Sequence, residues 1–273
     1  MIIEQTYSLL KKKYKDRFEN LIVSDIRIGI YLTAVILSDG SIGTAATLIP
    51  DHPFCKKSNR DFGDLSPLKI KGQRVVAILE SRKNSPVIAS IKTSVLSAIS
   101  SKIIASGNYN IVENCDPIEL IDLNSAGTIT IVGAFQSYIR KISQTEKKLY
   151  VLEMNENALP PEQKKYFIPS EEYQKILPVS DIVFITGQTL VNGTIDNLLK
   201  VISPQAKVIV TGPSCNILPD ILFQNKISII GAIRITDPDK LFNIVSEGGA
   251  GFHLFEYCAR KICILRGDEV QIK

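Results

Sequence analysis

The sequence predicts a two-part α/β protein, with an N-terminal α+β unit over residues 1–107 and a C-terminal Rossmann-like unit of mostly parallel strands with flanking helices over residues 108–273. Three observations carry this reading. At 273 residues the chain exceeds the usual size of one domain. Asp39-Gly40 stands between two β-branched runs, a strong hairpin signal because both turn positions favour positive φ. After Gly107, short β-rich runs alternate with helical stretches, the pattern of βαβ units on a parallel sheet.

In the first unit, Ile2, Ile3, Leu9, Leu10 and Tyr14 mark an amphipathic opening helix. Residues 21–31 and 32–49 carry the β-branched runs and give a meander of about three antiparallel strands. A polar loop over 50–67 precedes a helix-like stretch, 72–81. The clearest helix has Ser85 as N-cap and Pro86 in its first turn, with Ile88, Ile91, Val95, Ile99 and Ile103 along one face before Gly107. In the second unit the apolar runs 128–134, 148–154, 181–187, 207–212, 227–233 and 261–265 imply six strands. Between them, Thr194 is placed to cap a helix with Ile195, Leu198, Leu199 and Ile202 on one side. A second helix opens on the capping box Thr236-Asp237-Pro238-Asp239, buries Leu241, Ile244 and Val245, and stops at Gly248-Gly249.

Composition narrows the partners. With 45% apolar and 22% charged residues the chain has the balance of a globular protein. The net charge of +4 owes much to Lys11, Lys12, Lys13, Lys15 and Arg17, whose helical spacing fits a solvated face better than a phosphate-binding stripe. With no Trp, scattered aromatics and no nucleic-acid motif, the expected partner is a small-molecule ligand and not nucleic acid, with homo-oligomer formation left open. Residues 1–20 lack the pattern of a signal peptide and no uncharged apolar run reaches the length of a membrane span, so a soluble cytoplasmic protein is expected. Cys55, Cys115, Cys215, Cys258 and Cys263 are odd in number with no C-x-x-C pair, which reads as free thiols in a reducing compartment.

Open parallel sheets bind ligands beyond the carboxyl ends of their strands. The residues following the strands are therefore the candidates: Gly133 and Phe135, then Glu153 and Asn155, then Gly187, Thr189, Asn192 and Thr194, then Gly212, Pro213 and Ser214. Glycine lets a backbone approach a ligand, while hydroxyls and amides supply neutral donors and acceptors, so a polar, uncharged rim is predicted. One such loop alone reads more readily as turns and caps than as a site; four at one edge point to a ligand. Gly133 does not open a G-x-G-x-x-G fingerprint, because Phe135 holds the second glycine's place, so a standard NAD or FAD mode is disfavoured and no cofactor is assigned. Glu153, at the end of the second strand, is placed to accept hydrogen bonds from ribose hydroxyls, as in methyltransferases.

Asp51, His52, Cys55, Asp61 and Asp64 share one loop, but H-x-x-C offers only two soft ligands, and no metal site is assigned. His253 reads as packed or surface-lying, which leaves a Ser-His-Asp or Cys-His triad without support and the catalytic residue unknown. Cys215 follows Gly-Pro-Ser near the start of an expected helix, where a helix dipole lowers a thiol pKa; a small turn-filling residue is the preferred reading, and Ser214 the better ligand contact.

The segments DIRIGIYLTAVILSDGSIGTA (25–45), TIVGAF (130–135), SDIVFITGQTLVNGT (180–194) and VTGPSCNILPDILF (210–223), with the Glu247-Gly248-Gly249 turn, resemble a bacterial and archaeal heavy-metal chelation family of unknown function. The resemblance implies an enolase-N-terminal-like α+β domain, a Rossmann-like domain partly similar to methyltransferases, and a pocket between them. Thr33, Gly133, Phe135, Thr189, Asn192, Thr194, Gly212, Pro213 and Ser214 match the motif positions that would line it. It further implies condensation or hydrolysis of a pterin-, flavin- or siderophore-like metabolite, with a contextual link to metal chelation. The family tends to carry an Asn in a segment like A-x-x-N-A; here SVLSAIS puts Ser97 there, and if that Asn contacts ligand the change implies a different substrate or lost activity. The leading expectation is a small-molecule-binding or small-molecule-processing protein. The alternatives are an S-adenosylmethionine-dependent methyltransferase-like enzyme and a non-enzymatic metal or metal-chelate carrier using His52 and Cys55.

Overall fold

A computed structural model describes residues 1–49 and 62–267. Asp51, His52, Cys55 and Asp61 lie outside the described residues.

The opening helix α1 (Ile2–Phe18) buries Ile2, Thr6, Leu10 and Phe18, while Ile3, Leu9 and Tyr14, also marked by the sequence spacing, are partly buried against the same core. Its basic residues stay exposed in surface ion pairs, Lys11 with Glu80, Lys13 with Asp220 and Lys15 with Glu19. The meander follows as β1 (Val23–Ile28), β2 (Leu32–Leu37) and β3 (Ile42–Ala46), paired antiparallel in that order. Its tight turn uses Gly40 at φ +80°, with the Asp39 carboxylate accepting from the Ser41 amide and hydroxyl. Next come α2 (Val75–Glu80) and α3 (Pro86–Ser106), where the Ser85 hydroxyl accepts from the Ile88 amide and caps α3 as expected. At 21 residues α3 is long and apolar enough to cross a bilayer, but most of it is buried against β2 and β3, as a core helix is.

β3 is an edge strand whose outward groups are met by hydroxyls instead of a fourth strand. The amides of Thr44, Ala46 and Leu48 donate to the hydroxyls of Ser97, Ser214 and Ser90 at 3.2, 2.8 and 2.9 Å, and the Ser101 hydroxyl donates to the Ile42 carbonyl at 2.9 Å. A buried edge with unmet amides would cost about 1–3 kcal/mol per group, so the serine run on α3 is structural.

The large sheet contains β4 (Asn110–Glu113), β5 (Thr128–Val132), β6 (Lys148–Glu153), β7 (Phe167–Pro169), β8 (Ile182–Thr186), β9 (Lys207–Thr211), β10 (Ile227–Ile235) and β11 (Ala259–Leu265). Its order is β4-β11-β10-β9-β8-β5-β6-β7. The strands from β10 to β7 are parallel and follow the Rossmann order, while β11 and β4 add on antiparallel. The six strands read from sequence are present; β4 and β7 are additional, both short edge strands with too few residues to show a period.

Helices cover both faces: α4 (Gln136–Ile142), α5 (Tyr173–Ile176), α6 (Gln188–Val191), α7 (Ile195–Val201), α8 (Pro219–Gln224), α9 (Pro238–Ser246) and α10 (Gly251–Tyr257). Asp237, not Thr236, is the cap of α9, accepting from the Lys240 amide, and Leu241 and Val245 are its buried residues. These two join Leu32, Ala34 and Ile233 in one apolar cluster, so α9 covers the meander's second face while α3 covers the first. The two halves of the chain therefore meet through buried apolar surface as well as through the serine-capped edge.

Candidate functional site

The strand order reverses between β5 and β8. Along β8, Val183 and Ile185 face one apolar layer and Ile182 and Phe184 the other. The helix after β5 packs in the layer of Phe184 through Tyr138, Ile139 and Ile142, while α6 and α7 pack in the layer of Val183 through Leu190, Ile195 and Leu198. Because the two connections leave to opposite faces, a crevice must open between their starts. A cavity of about 640 Å³ lies there, lined from the ends of β5, β6 and β8, the residues that follow β7, and α5, α6 and α7.

Gly133 makes the turn out of β5 at φ +105°, and a Cβ on it would stand 3.1 Å from Thr186. Phe135 forms an aromatic wall. Its ring stacks on Tyr138 at 5.3 Å, Tyr138 meets Phe184 edge-on at 5.1 Å, and the Tyr138 hydroxyl donates to the Asp116 carboxylate. Lys261 holds the other oxygen of Asp116 at 2.6 Å, so the wall is braced from behind.

At the end of β6, Glu153 accepts at one carboxylate oxygen from the amides of Met154 and Asn155, 2.7 and 3.2 Å away. That pins the carboxylate at the cavity edge and leaves its second oxygen for a ligand. Asn155 turns away to accept from the Asn157 amide and is not part of the lining. Thr189 is 4% exposed and donates to the Thr186 carbonyl at 2.7 Å. The Asn192 side-chain oxygen accepts from the Thr194 amide and hydroxyl at 3.0 and 2.7 Å, which orients its amide nitrogen as a donor. Thr194 itself makes no side-chain bond to the first turn of α7, contrary to the capping role its position suggests.

The structure thus brings Gly133, Phe135, Glu153, Thr189, Asn192 and Thr194 together at one cavity. The other sequence candidates lie elsewhere. Gly187 is buried where a Cβ would come within 2.6 Å of the Cys215 sulfur. Gly212, at φ +133°, turns the chain toward the meander, where the Pro213 carbonyl accepts from the Thr44 hydroxyl at 2.7 Å and Ser214, 2% exposed, caps Ala46. Thr33 is fully buried in β2, its hydroxyl 2.9 Å from that of Thr47. Ser170 and Glu171, which follow β7, and Tyr173 of α5 complete the lining, and sequence reasoning missed them because β7 gave no signal. The expected rim was uncharged; instead it carries two carboxylates, Glu153 and Glu171, and no lysine or arginine among the described residues. This electrostatic character disfavours phosphate and suits neutral or cationic ligands.

Cys215 does not sit at a helix start, since α8 begins four residues on, and burial pushes its thiol up. Burial likewise raises Cys115 and Cys263, and takes Cys258 to about 11. The Cys55→Ser variant should accordingly resist a water-soluble disulfide reagent at about pH 8 until it is denatured, when four thiols react. Fast labelling of the native variant would contradict these burials. The His253 ring accepts from the Ala250 amide at 3.0 Å, a capping contact. Among the described residues no group of three His, Cys, Asp or Glu is gathered as a metal site.

Comparison with known proteins agrees with this architecture. Residues 116–264 match a family described as "Putative heavy-metal chelation", and residues 11–100 match a second with the same description. An uncharacterized protein of Methanocaldococcus jannaschii is 26% identical over 246 residues, covering 88% of this chain and 89% of its own length. A crystal structure of a protein of unknown function from Pyrococcus horikoshii superposes with a TM-score of 0.78 at 21% identity, over 97% of this chain and 100% of that one. A second, from Desulfitobacterium hafniense, gives 0.69 at 18% identity over 97% and 98%. At these identities the two structures speak for the fold.

Proposed function

This chain belongs to the family described as "Putative heavy-metal chelation", and from that premise we propose that it binds a small organic metabolite in the switch-point cavity, an uncharged or cationic heterocycle of nucleoside, pterin or flavin kind. The observation that carries this reading is the pairing of an aromatic wall, Phe135, with two carboxylates and, among the described residues, no lysine or arginine. A volume of about 640 Å³ fits a ligand of that size. Glu153 presents a fixed oxygen acceptor to ribose or pterin N–H and O–H groups, while Asn192 and Gln188 offer amides. Phe135 in place of a second glycine denies a pyrophosphate the backbone approach it needs. The link to metal chelation then runs through the organic ligand, the species that holds the metal.

Titration calorimetry with adenosine, adenosine monophosphate, pterin, riboflavin and flavin mononucleotide tests this. The unphosphorylated member of each pair should bind more tightly, and Glu153→Ala should weaken adenosine about tenfold, the size of one lost charge-assisted hydrogen bond. Preference for the phosphorylated forms, or an unchanged adenosine affinity in Glu153→Ala, would remove the reading. A methyltransferase-like reading is favoured by one specific feature, the carboxylate at the end of the second parallel strand beside a lining without lysine or arginine among the described residues, which suits the sulfonium of S-adenosylmethionine. Under it, S-adenosylmethionine should bind more tightly than its thioether product, which lacks the sulfonium charge.

A further inference from the structure

A second cavity, of about 910 Å³, lies where α1 and α3 meet the α6–α7 turn, and among the described residues it shares Asn192 alone with the first. Ala89, Thr93 and Leu96 form its floor at the helical spacing of α3, and Leu79, Leu190 and Val191 give it apolar walls. Cations gather at one end. Arg82 and Lys83 stand in the loop before α3 and Lys92 in its second turn, and none of the three pairs with a carboxylate among the described residues. Lys92 is half-buried and donates to the Ser81 carbonyl at 2.5 Å, which holds its ammonium against the loop that carries the other two. The nearby acids are already engaged: Glu4 pairs with the terminal ammonium at 3.1 Å and Asp196 accepts from the Ile2 amide at 3.0 Å.

Thr93 is the independent observation. It is 2% exposed, lines the cavity and makes no hydrogen bond within the described structure, although Ser90 one turn earlier donates to the Pro86 carbonyl as helical hydroxyls usually do. Unlike the sealed hydroxyls of Thr6 and Ser100, the Thr93 oxygen is not fully enclosed, so it is free to meet a group inside the cleft. Burial also lowers the Lys92 pKa, a cost that an anion beside it would reverse. The positive end of the α3 dipole acts in the same sense.

We propose that this cleft binds an anion with an apolar body, a carboxylate or phosphate ester, whose charged head is taken by Arg82, Lys83, Lys92 and the Thr93 hydroxyl while the apolar part rests on Leu96, Leu190 and Val191. The proposal does not depend on the reading of the switch-point cavity. It gives the protein a second, electrostatically opposite pocket, with Asn192 in the partition.

Calorimetry on the full chain with benzoate, phenyl phosphate, benzyl alcohol and benzylamine tests it. One or both anions should bind, their ratio assigning the natural head group, and the alcohol and amine should not. The exposed double substitution Arg82→Ala/Lys83→Ala should weaken the anion about tenfold. Thr93→Val, near-isosteric and compatible with the fold, should weaken it about threefold. Adenosine affinity in these variants should stay at the parent value, and Glu153→Ala should leave benzoate affinity unchanged. Silence from both anions, equal binding of benzyl alcohol, or indifference to both sets of substitutions would overturn the proposal.

Discussion

Gly43→Ala should destabilise the folded protein by about 3 kcal/mol, an overpacking cost at the upper end of the usual range because backbone, not side chain, is in the way. A Cβ at this position would stand 2.2 Å from both the Ser94 carbonyl oxygen and the Ala98 nitrogen. Neither group can rotate aside, so α3 would have to lift off β3. Lifting it also breaks the contacts from Ser97, Ser90 and Ser101 that satisfy the strand's outer edge. The same helix floors the cation-lined cleft, so anion binding should fall with stability. Urea denaturation followed by circular dichroism measures the change directly. An alanine variant within about 0.5 kcal/mol of the parent would mean that helix and strand are not this close.

How far the sequence foretold the fold follows from burial. Central strands enclosed on both faces must be continuously apolar, and Ile182-Val183-Phe184-Ile185 is such a run, every residue of it buried. Edge strands need no such run. Phe167-Ile168-Pro169 and Asn110-Ile111-Val112-Glu113 therefore left no periodic trace, and with β7 went the site residues that follow it, Ser170, Glu171 and Tyr173. The switch-point residues were legible because strand ends, glycine and polar side chains coincide there. What composition cannot tell is which way a polar loop looks. Thr189 and Asn192 line a cavity, whereas Ser214 and Ser97, no different in kind, each spend a hydroxyl on an edge amide. Ser97, read as a change at a ligand position, is a structural cap in this chain.

Asn216→Leu separates those two uses of a polar loop. β9 ends at Thr211 opposite Gly231, while β10 runs on to Ile235, so the backbone groups of Ile233 have no strand beside them on that edge. Asn216, 8% exposed, takes the strand's place: its amide donates to the Ile233 carbonyl at 2.6 Å, and its oxygen accepts from the Ile233 amide at 2.9 Å. Leucine keeps the volume but removes both partners, orphaning two buried backbone groups at about 1–3 kcal/mol each. A loss near 3 kcal/mol is therefore expected in urea denaturation, against about 1 kcal/mol for Ser214→Ala, which leaves a single amide unmet. Adenosine affinity of the molecules that remain folded should not change, since neither residue lines the switch-point cavity. The opposite pattern, full stability with lost affinity, would return the whole 212–216 loop to the binding site and make the serine-capped edge incidental.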